Sequence, residues 1–141
     1  MQTNNSKIMK MKKILKQSLF IIISSMLVSC TFTKKPNMIL SNYQIKFGEV
    51  KEGSQCSADI KLYNRGSDIL NIRTITTDCS CTNALIDNKN IAPNDSTTIH
   101  VLLNTKGKNG DNENFVIIQA NTYTVIHYIS VLSNVITTDS N

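Results

Sequence analysis

With 141 residues the chain is long enough for one domain and too short for two of ordinary size. Its net charge of +5 and pI of 9.1 suggest an anionic partner, but five of the fifteen basic residues (Lys7, Lys10, Lys12, Lys13 and Lys16) precede position 17, where no acidic residue occurs. From Cys30 onward ten basic residues balance ten acidic ones, and no basic run exceeds Lys34-Lys35. Nucleic acid and electrostatic attraction to an anionic membrane surface therefore lose their support.

Residues 7–17 are basic and polar, and the apolar run Leu19 to Val28 follows, ending in Ser29-Cys30. A charged region, a short apolar region and small residues at its end are the parts of an export signal. The apolar run falls short of the ~20 residues that a spanning helix needs. Leu27-Val28-Ser29-Cys30 resembles the lipobox of bacterial lipoproteins, which implies cleavage before Cys30 and diacylglyceryl attachment to its sulfur. Further acylation would make the anchor durable, since one chain alone binds only marginally. Thr31 stands where such sorting places an aspartate for inner-membrane retention. Residues 31–37 lack the acidic cluster that resembles a surface-export signal. The expected address is the cell envelope, on the outer membrane and facing the periplasm. Residues 1–29 then form the signal, 30–41 the lipidated cysteine and a tether, 42–136 the domain and 137–141 a polar tail.

The mature chain reads as short alternating segments separated by turn chemistry. Ile45 to Val50 alternates and ends at Lys51-Glu52-Gly53-Ser54. Ala58, Ile60 and Leu62 share one parity, a half-buried strand that stops at Asn64-Arg65-Gly66-Ser67. Leu70 and Ile72 open a third strand, and Ile75 falls out of phase, which places a bulge near Arg73-Thr74. Asn83 to Ile86 is a short strand, Ile91-Ala92-Pro93-Asn94-Asp95 a turn, and Thr97 to Leu103 another strand. Asn104 to Asn114 reads as a hydrophilic loop containing the hairpin dipeptide Asn109-Gly110. Phe115 to Ala120 and Tyr123 to Val135 complete the set. No helical period is sustained. Seven short strands with turns every ~8–12 residues predict an all-β, immunoglobulin-like sandwich.

The pieces Phe47-Gly48-x-Val50-x-x-Gly53, Leu62-x-Asn64-x-Gly66, Leu70-x-Ile72-x-x-Ile75, Asp78-Cys79-Ser80-Cys81-Thr82, Ile91-Ala92-Pro93 and Asn121 occur in this order. Together they resemble the bacterial domain-of-unknown-function fifteen-seventy-three, a relative of the immunoglobulin-like domains of major sperm protein, of PapD type and of cilium-associated proteins. That family carries Cys-Gly-Cys-Thr where this chain has Ser80, which puts a left-handed conformation there in doubt. The resemblance implies fold and envelope location, and no reaction. Gly53 and Gly66 sit where turns call for positive φ, Asn64 can bond a turn backbone, and Pro93 pre-sets a turn.

Besides Cys30, three cysteines remain: Cys56, Cys79 and Cys81. Exported cysteines are usually bridged, and an odd number leaves one over. Cys56 shares the core parity of Ala58, Ile60 and Leu62, so a bridge from it to Cys79 or Cys81 across the sheets is one arrangement. A Cys79–Cys81 bridge would close a very small ring suited to thiol exchange. Buried structural thiols, a labile redox pair and a metal site are the competing readings. For a metal, His100 and His127 lie on separate strands without ligand spacing, and zinc needs three or four converging donors. Asp111-Asn112-Glu113 lacks a calcium-loop register. No phosphate cradle or nucleophile elbow appears. The expectation is a non-catalytic binding or assembly module that needs no cofactor, anchored to the membrane through Cys30 and meeting an envelope protein by β-augmentation or through the Asn104–Asn114 loop. The alternative is a periplasmic thiol-redox or metal-handling protein using Cys79 and Cys81. The intact mass of membrane-extracted protein should begin at Cys30 and carry acyl chains. An unprocessed or unacylated chain overturns the anchor.

Overall fold

Nine strands are found among the described residues of the computed structural model, which are Lys12 and residues 33–137. They are β1 (Met38–Leu40), β2 (Gln44–Lys51), β3 (Gln55–Asn64), β4 (Leu70–Thr77), β5 (Thr82–Ile86), β6 (Asn90–Ile91), β7 (Ser96–Asn104), β8 (Gly110–Ala120) and β9 (Ile126–Ile136). One sheet has the order β1-β3-β7-β5 and the other β2-β9-β8-β4-β6. The two form an immunoglobulin-like sandwich. Its core is built by the predicted alternation: Ile60 and Leu62 of β3 pair with Ile99 and Thr97 of β7, all facing inward, against Ile118 of β8 and Ile129 of β9. Cys30 and, Lys12 apart, the expected signal over residues 1–29 lie outside the described residues.

Two strands exceed the seven expected. Met38 and Leu40 are buried because β1 pairs with the end of β3, Met38 opposite Asn64. A three-residue strand is too short to show a period, so its residues read as tether. The two-residue β6 pairs Ile91 with Leu70 and hid within the turn that follows it. The predicted bulge in β4 is present as a register shift between Ile72 and Thr74.

The loop read as Asn104–Asn114 shrinks to 105–109, since β8 begins at Gly110 opposite Val135. Asn109-Gly110 makes no hairpin either, because β7 and β8 belong to different sheets. The connection is held instead by Thr105, fully buried. Its hydroxyl accepts from the Ser54 N–H at 2.8 Å and donates to the Lys51 carbonyl at 2.8 Å.

Asn64 is fully buried at the opposite end. Its Oδ1 accepts from the N–H groups of Gly66 (3.0 Å) and Asn37 (3.3 Å), and its Nδ2 donates to the carbonyls of Asp68 (2.7 Å) and Ile91 (2.9 Å). One carboxamide thereby ties the approach to β1, the β3–β4 turn and β6 together. Gly66 does not take positive φ, contrary to expectation, whereas Gly53 does, at 78°. Glycine at 66 answers to space: a Cβ would collide with the Lys35 carbonyl and the Asn37 nitrogen as residues 35–37 pass over the turn. Pro93 and Asn94, the latter at φ 65°, fill the middle of a turn closed by the Asp95 N–H on the Ala92 carbonyl at 3.1 Å.

Asn64→Ala leaves buried donors and acceptors unpaired in three segments. Urea unfolding should show a loss of about 3 kcal/mol, and a loss no greater than for an exposed Asn→Ala substitution contradicts this role.

Candidate functional site

The three cysteines of the described domain gather at the end remote from Asn64, where β3 and β5 begin and β4, β7 and β9 end. Asp78 starts the local structure. Its N–H donates to the Phe115 carbonyl (3.2 Å) and its carboxylate accepts from the Phe115 N–H (2.8 Å), which pins the end of β4 to β8. The Thr77 hydroxyl bonds the carbonyls of Cys79 and Thr82, and the Thr82 N–H returns to the Cys79 carbonyl at 3.1 Å. Residues 79–81 are thus folded into a tight loop, and Cys79 and Cys81 are joined by a disulfide. Among the described residues Asn94 is the one non-glycine at positive φ, so Ser80 takes an ordinary backbone conformation.

Cys56 is a free, half-buried thiol. It pairs with Leu103, and Leu103 pairs on its other side with Thr82. Cys56 therefore lies in the same sheet as β5, two strands away, at roughly 10 Å by strand spacing. A disulfide needs Cα atoms within about 7 Å, so the bridge from Cys56 to Cys79 or Cys81 is excluded. Its parity gave the facing direction correctly but could not give the strand order.

The inner faces turn polar at this end. Asn114 and Ser133 are each 5 % exposed, and Asn114 Nδ2 and Ser133 Oγ have no hydrogen-bond partner in the protein. Asn114 Oδ1 faces Cys81 Sγ at 3.5 Å. The Thr82 hydroxyl stands 3.6 Å from the same sulfur, and the Cys81 N–H points at Cys79 Sγ at 3.1 Å. A cleft of about 160 Å³ opens beside Cys81 among Gln55, Ser80, Asn83, Leu102 and Asn104. Asn114 gave no signal in the sequence: it sat in a segment read as solvated loop, whereas pairing with Val131 turns it inward.

The other predicted candidates are spread apart. Asp111, Asn112 and Glu113 belong to β8, where Asp111 accepts from Asn134 Nδ2 (2.6 Å) and Glu113 from the Ser130 hydroxyl (2.7 Å). His127 bonds the Thr122 hydroxyl at 2.8 Å, and burial lowers its pKa. His100 lies on the outer face of the four-stranded sheet, its Nδ1 2.8 Å from Asp59 Oδ1 and its Nε2 2.9 Å from Asp87 Oδ1. Both ring nitrogens are engaged, and the bridge takes both Cys79 and Cys81 sulfurs, so these residues do not converge as a ligand set.

The hydrogen bond to Asp59, followed by that to Asp87, raises the His100 pKa above its ordinary 6.5. A raised folded-state pKa means that the protonated form is favoured by folding. Its stabilisation is complete below about pH 6.5 and is lost as pH rises through the folded value. The midpoint of thermal unfolding should therefore fall over this interval in the native protein and fall less in Asp59→Asn. Identical pH profiles for the two proteins contradict this assignment.

A family model described as protein of unknown function (DUF1573) matches residues 38–135. No curated protein matches the sequence. Among solved structures, a protein of unknown function from Porphyromonas gingivalis W83 is similar at 20 % identity and a TM-score of 0.65, over 75 % of this chain and 50 % of that one. The chain thus spans half the length of that structure. The ASH/PapD-like domain 7 of human CEP192 is similar at 10 % identity and a TM-score of 0.59, over 80 % of this chain and 95 % of the domain. The YadV chaperone is similar at 14 % identity and a TM-score of 0.52, over 74 % and 54 %. These likenesses are of fold. The family match runs from the start of β1 to Val135 in β9, and the chain belongs to the DUF1573 family.

Proposed function

We propose that this chain is a lipid-anchored module of the bacterial cell envelope that binds another envelope protein through a surface that itself performs no chemistry. The anchor reading is supported by the basic region, the apolar run and Leu27-Val28-Ser29-Cys30, and Thr31 favours the outer membrane with the domain facing the periplasm. The neutral mature chain, with its balanced charges, supports a protein partner over nucleic acid.

One observation carries the binding reading. A sheet with one solvated face ordinarily presents polar side chains outward, yet β8 and β9 direct Phe115, Ile117, Ile126 and Tyr128 to the outer face of the five-stranded sheet. Ile117 pairs with Tyr128, and Gln119 with Ile126. Tyr128 is 53 % and Ile126 41 % exposed. The rings of Phe115 and Tyr128 meet edge to face, with centroids 6.4 Å apart. Gln119, Ser130 and Thr76 border this band, an aromatic centre with a polar rim of the kind that protein interfaces use. The fold needs none of these side chains for its core, so the band favours a partner over a purely structural role.

A photo-crosslinking residue at position 128, in the acylated protein within its own envelope, should yield one discrete protein adduct. Ile126→Ser should weaken the adduct several-fold while leaving the unfolding midpoint close to native, since exposed substitutions usually change stability by within about 0.5 kcal/mol. No adduct, or the same adducts from a probe at Ser57 on the other sheet, overturns the proposal.

A further inference from the structure

We propose that Cys79 and Cys81 form a thiol–disulfide exchange site, served by the cleft beside Cys81 and acting on a pair of cysteines in an extended peptide. The bridge joins residues two apart, so it links no two elements of the sandwich. It also closes too short a loop to gain much of the chain-entropy benefit of a structural cross-link. Beside it lies the cleft of about 160 Å³ lined by Gln55, Ser80, Asn83, Leu102 and Asn104. The lining is uncharged, with one exposed leucine, and it sits at the start of β5. That strand is an edge, paired with β7 alone within its sheet, so a peptide seated in the cleft can continue along open backbone.

The groups around the sulfurs favour the reduced state. A half-cystine sulfur has no hydrogen to donate and accepts poorly, so the buried Asn114 carboxamide, facing Cys81 Sγ at 3.5 Å and with Nδ2 unpaired, gains little from the disulfide. Reduction gives it a partner in either orientation: its oxygen receives the Cys81 S–H, or its nitrogen donates to the thiolate. The Thr82 hydroxyl, 3.6 Å away, can donate to the same thiolate. The Cys81 N–H at 3.1 Å serves Cys79 in the same way. Polar groups better paired in the dithiol than in the disulfide make the bridge an electron acceptor.

The exchange balances without a further reagent. A peptide thiolate attacks Cys81 Sγ, Cys81 being the cysteine that lines the cleft. The S–S bond breaks, and its electron pair leaves on Cys79 Sγ, which the Cys81 N–H stabilises. The second peptide thiolate then attacks the peptide sulfur of this mixed disulfide, forming the peptide's own disulfide and releasing Cys81. The two protons lost by the peptide thiols pass through solvent to Cys79 and Cys81. The peptide dithiol is oxidised by two electrons and the bridge is reduced by two. Cys56 takes no part, with Leu103 between it and β5.

The test equilibrates the full-length protein with glutathione buffers and, separately, mixes it with a synthetic peptide carrying a Cys-x-x-Cys pair. Cys79 and Cys81 should become reduced together. Asn114→Leu should raise the ratio of reduced to oxidised glutathione needed for half-reduction about fivefold, the worth of roughly one hydrogen bond. Thr82→Val, which is nearly isosteric, should shift it in the same direction by less and carries the test if Asn114→Leu fails to fold. Cys79→Ser mixed with a single-cysteine form of the peptide, activated as its thionitrobenzoate disulfide, should hold the peptide in a mixed disulfide on Cys81 and not on Cys56, since no second peptide thiol is present to release it. An unchanged ratio in the folded variants overturns the proposal. So does peptide oxidation no faster than by an equal concentration of oxidised glutathione, or the absence of the mixed disulfide.

Discussion

The Asn64 carboxamide is the contact on which the arrangement of the sandwich depends. It is fully buried, and its four hydrogen bonds reach residues 37, 66, 68 and 91. A buried amide is costly unless every donor and acceptor is matched, so the path into β1, the turn after β3 and the end of β6 can lie in only one relation to each other. The Asn64 backbone adds to this: its N–H donates to the Asp95 carbonyl and its carbonyl accepts from the Asn94 N–H. Gly66 is required by the same junction, since residues 35–37 occupy the space that a side chain would need. Asn121 repeats the device one strand away, its Oδ1 accepting from the Asn71 N–H and its Nδ2 donating to the Ile69 carbonyl.

With one end held this way, the two ends of the sandwich differ in character. The Asn64 end is closed by matched polar groups and by apolar side chains such as Leu62, Leu70 and Ile91. At the cysteine end the inner faces carry Asn114 and Ser133 with unmatched atoms, together with a disulfide that joins no two strands. Incomplete satisfaction of buried polar groups is rare in folded proteins. At Asn114 it coincides with the sulfur of Cys81, which also lines a cleft beside the edge strand β5. The outer faces differ as well: one sheet displays the Asp59–His100–Asp87 cluster and the other the Phe115–Tyr128 band.

Much of the fold was legible in the sequence because one face of each sheet is buried, and burial writes itself as period two. The strands around Ile60, Ile72, Ile99 and Ile118 were read for this reason, and so was the bulge after Ile72, where the period breaks. β1 and β6 were not legible, since two or three residues hold no period and owe their pairing to Asn64 and Leu70. The extent of β8 was missed because Asp111, Asn112 and Glu113 look like loop residues. Antiparallel pairing with β9 makes a strand of any composition once its partner is present. Asn64, Pro93 and the cysteines were marked by residue type, and Asn114 carried no mark at all.

The sequence by itself determined the all-β class, the positions of most strands, the balance of charge from Cys30 onward and the expectation of an export signal over residues 1–29. Each of these depends on neighbours within a few residues. Only the tertiary structure decided which strands adjoin, because strand order depends on pairings between distant segments that local alternation does not encode. That order placed two strand spacings between Cys56 and β5 and ruled out a bridge between the sheets. It also brought Asn114, thirty-three positions along the chain, to the sulfur of Cys81, and it assembled from β8 and β9 an apolar face that neither strand reveals alone.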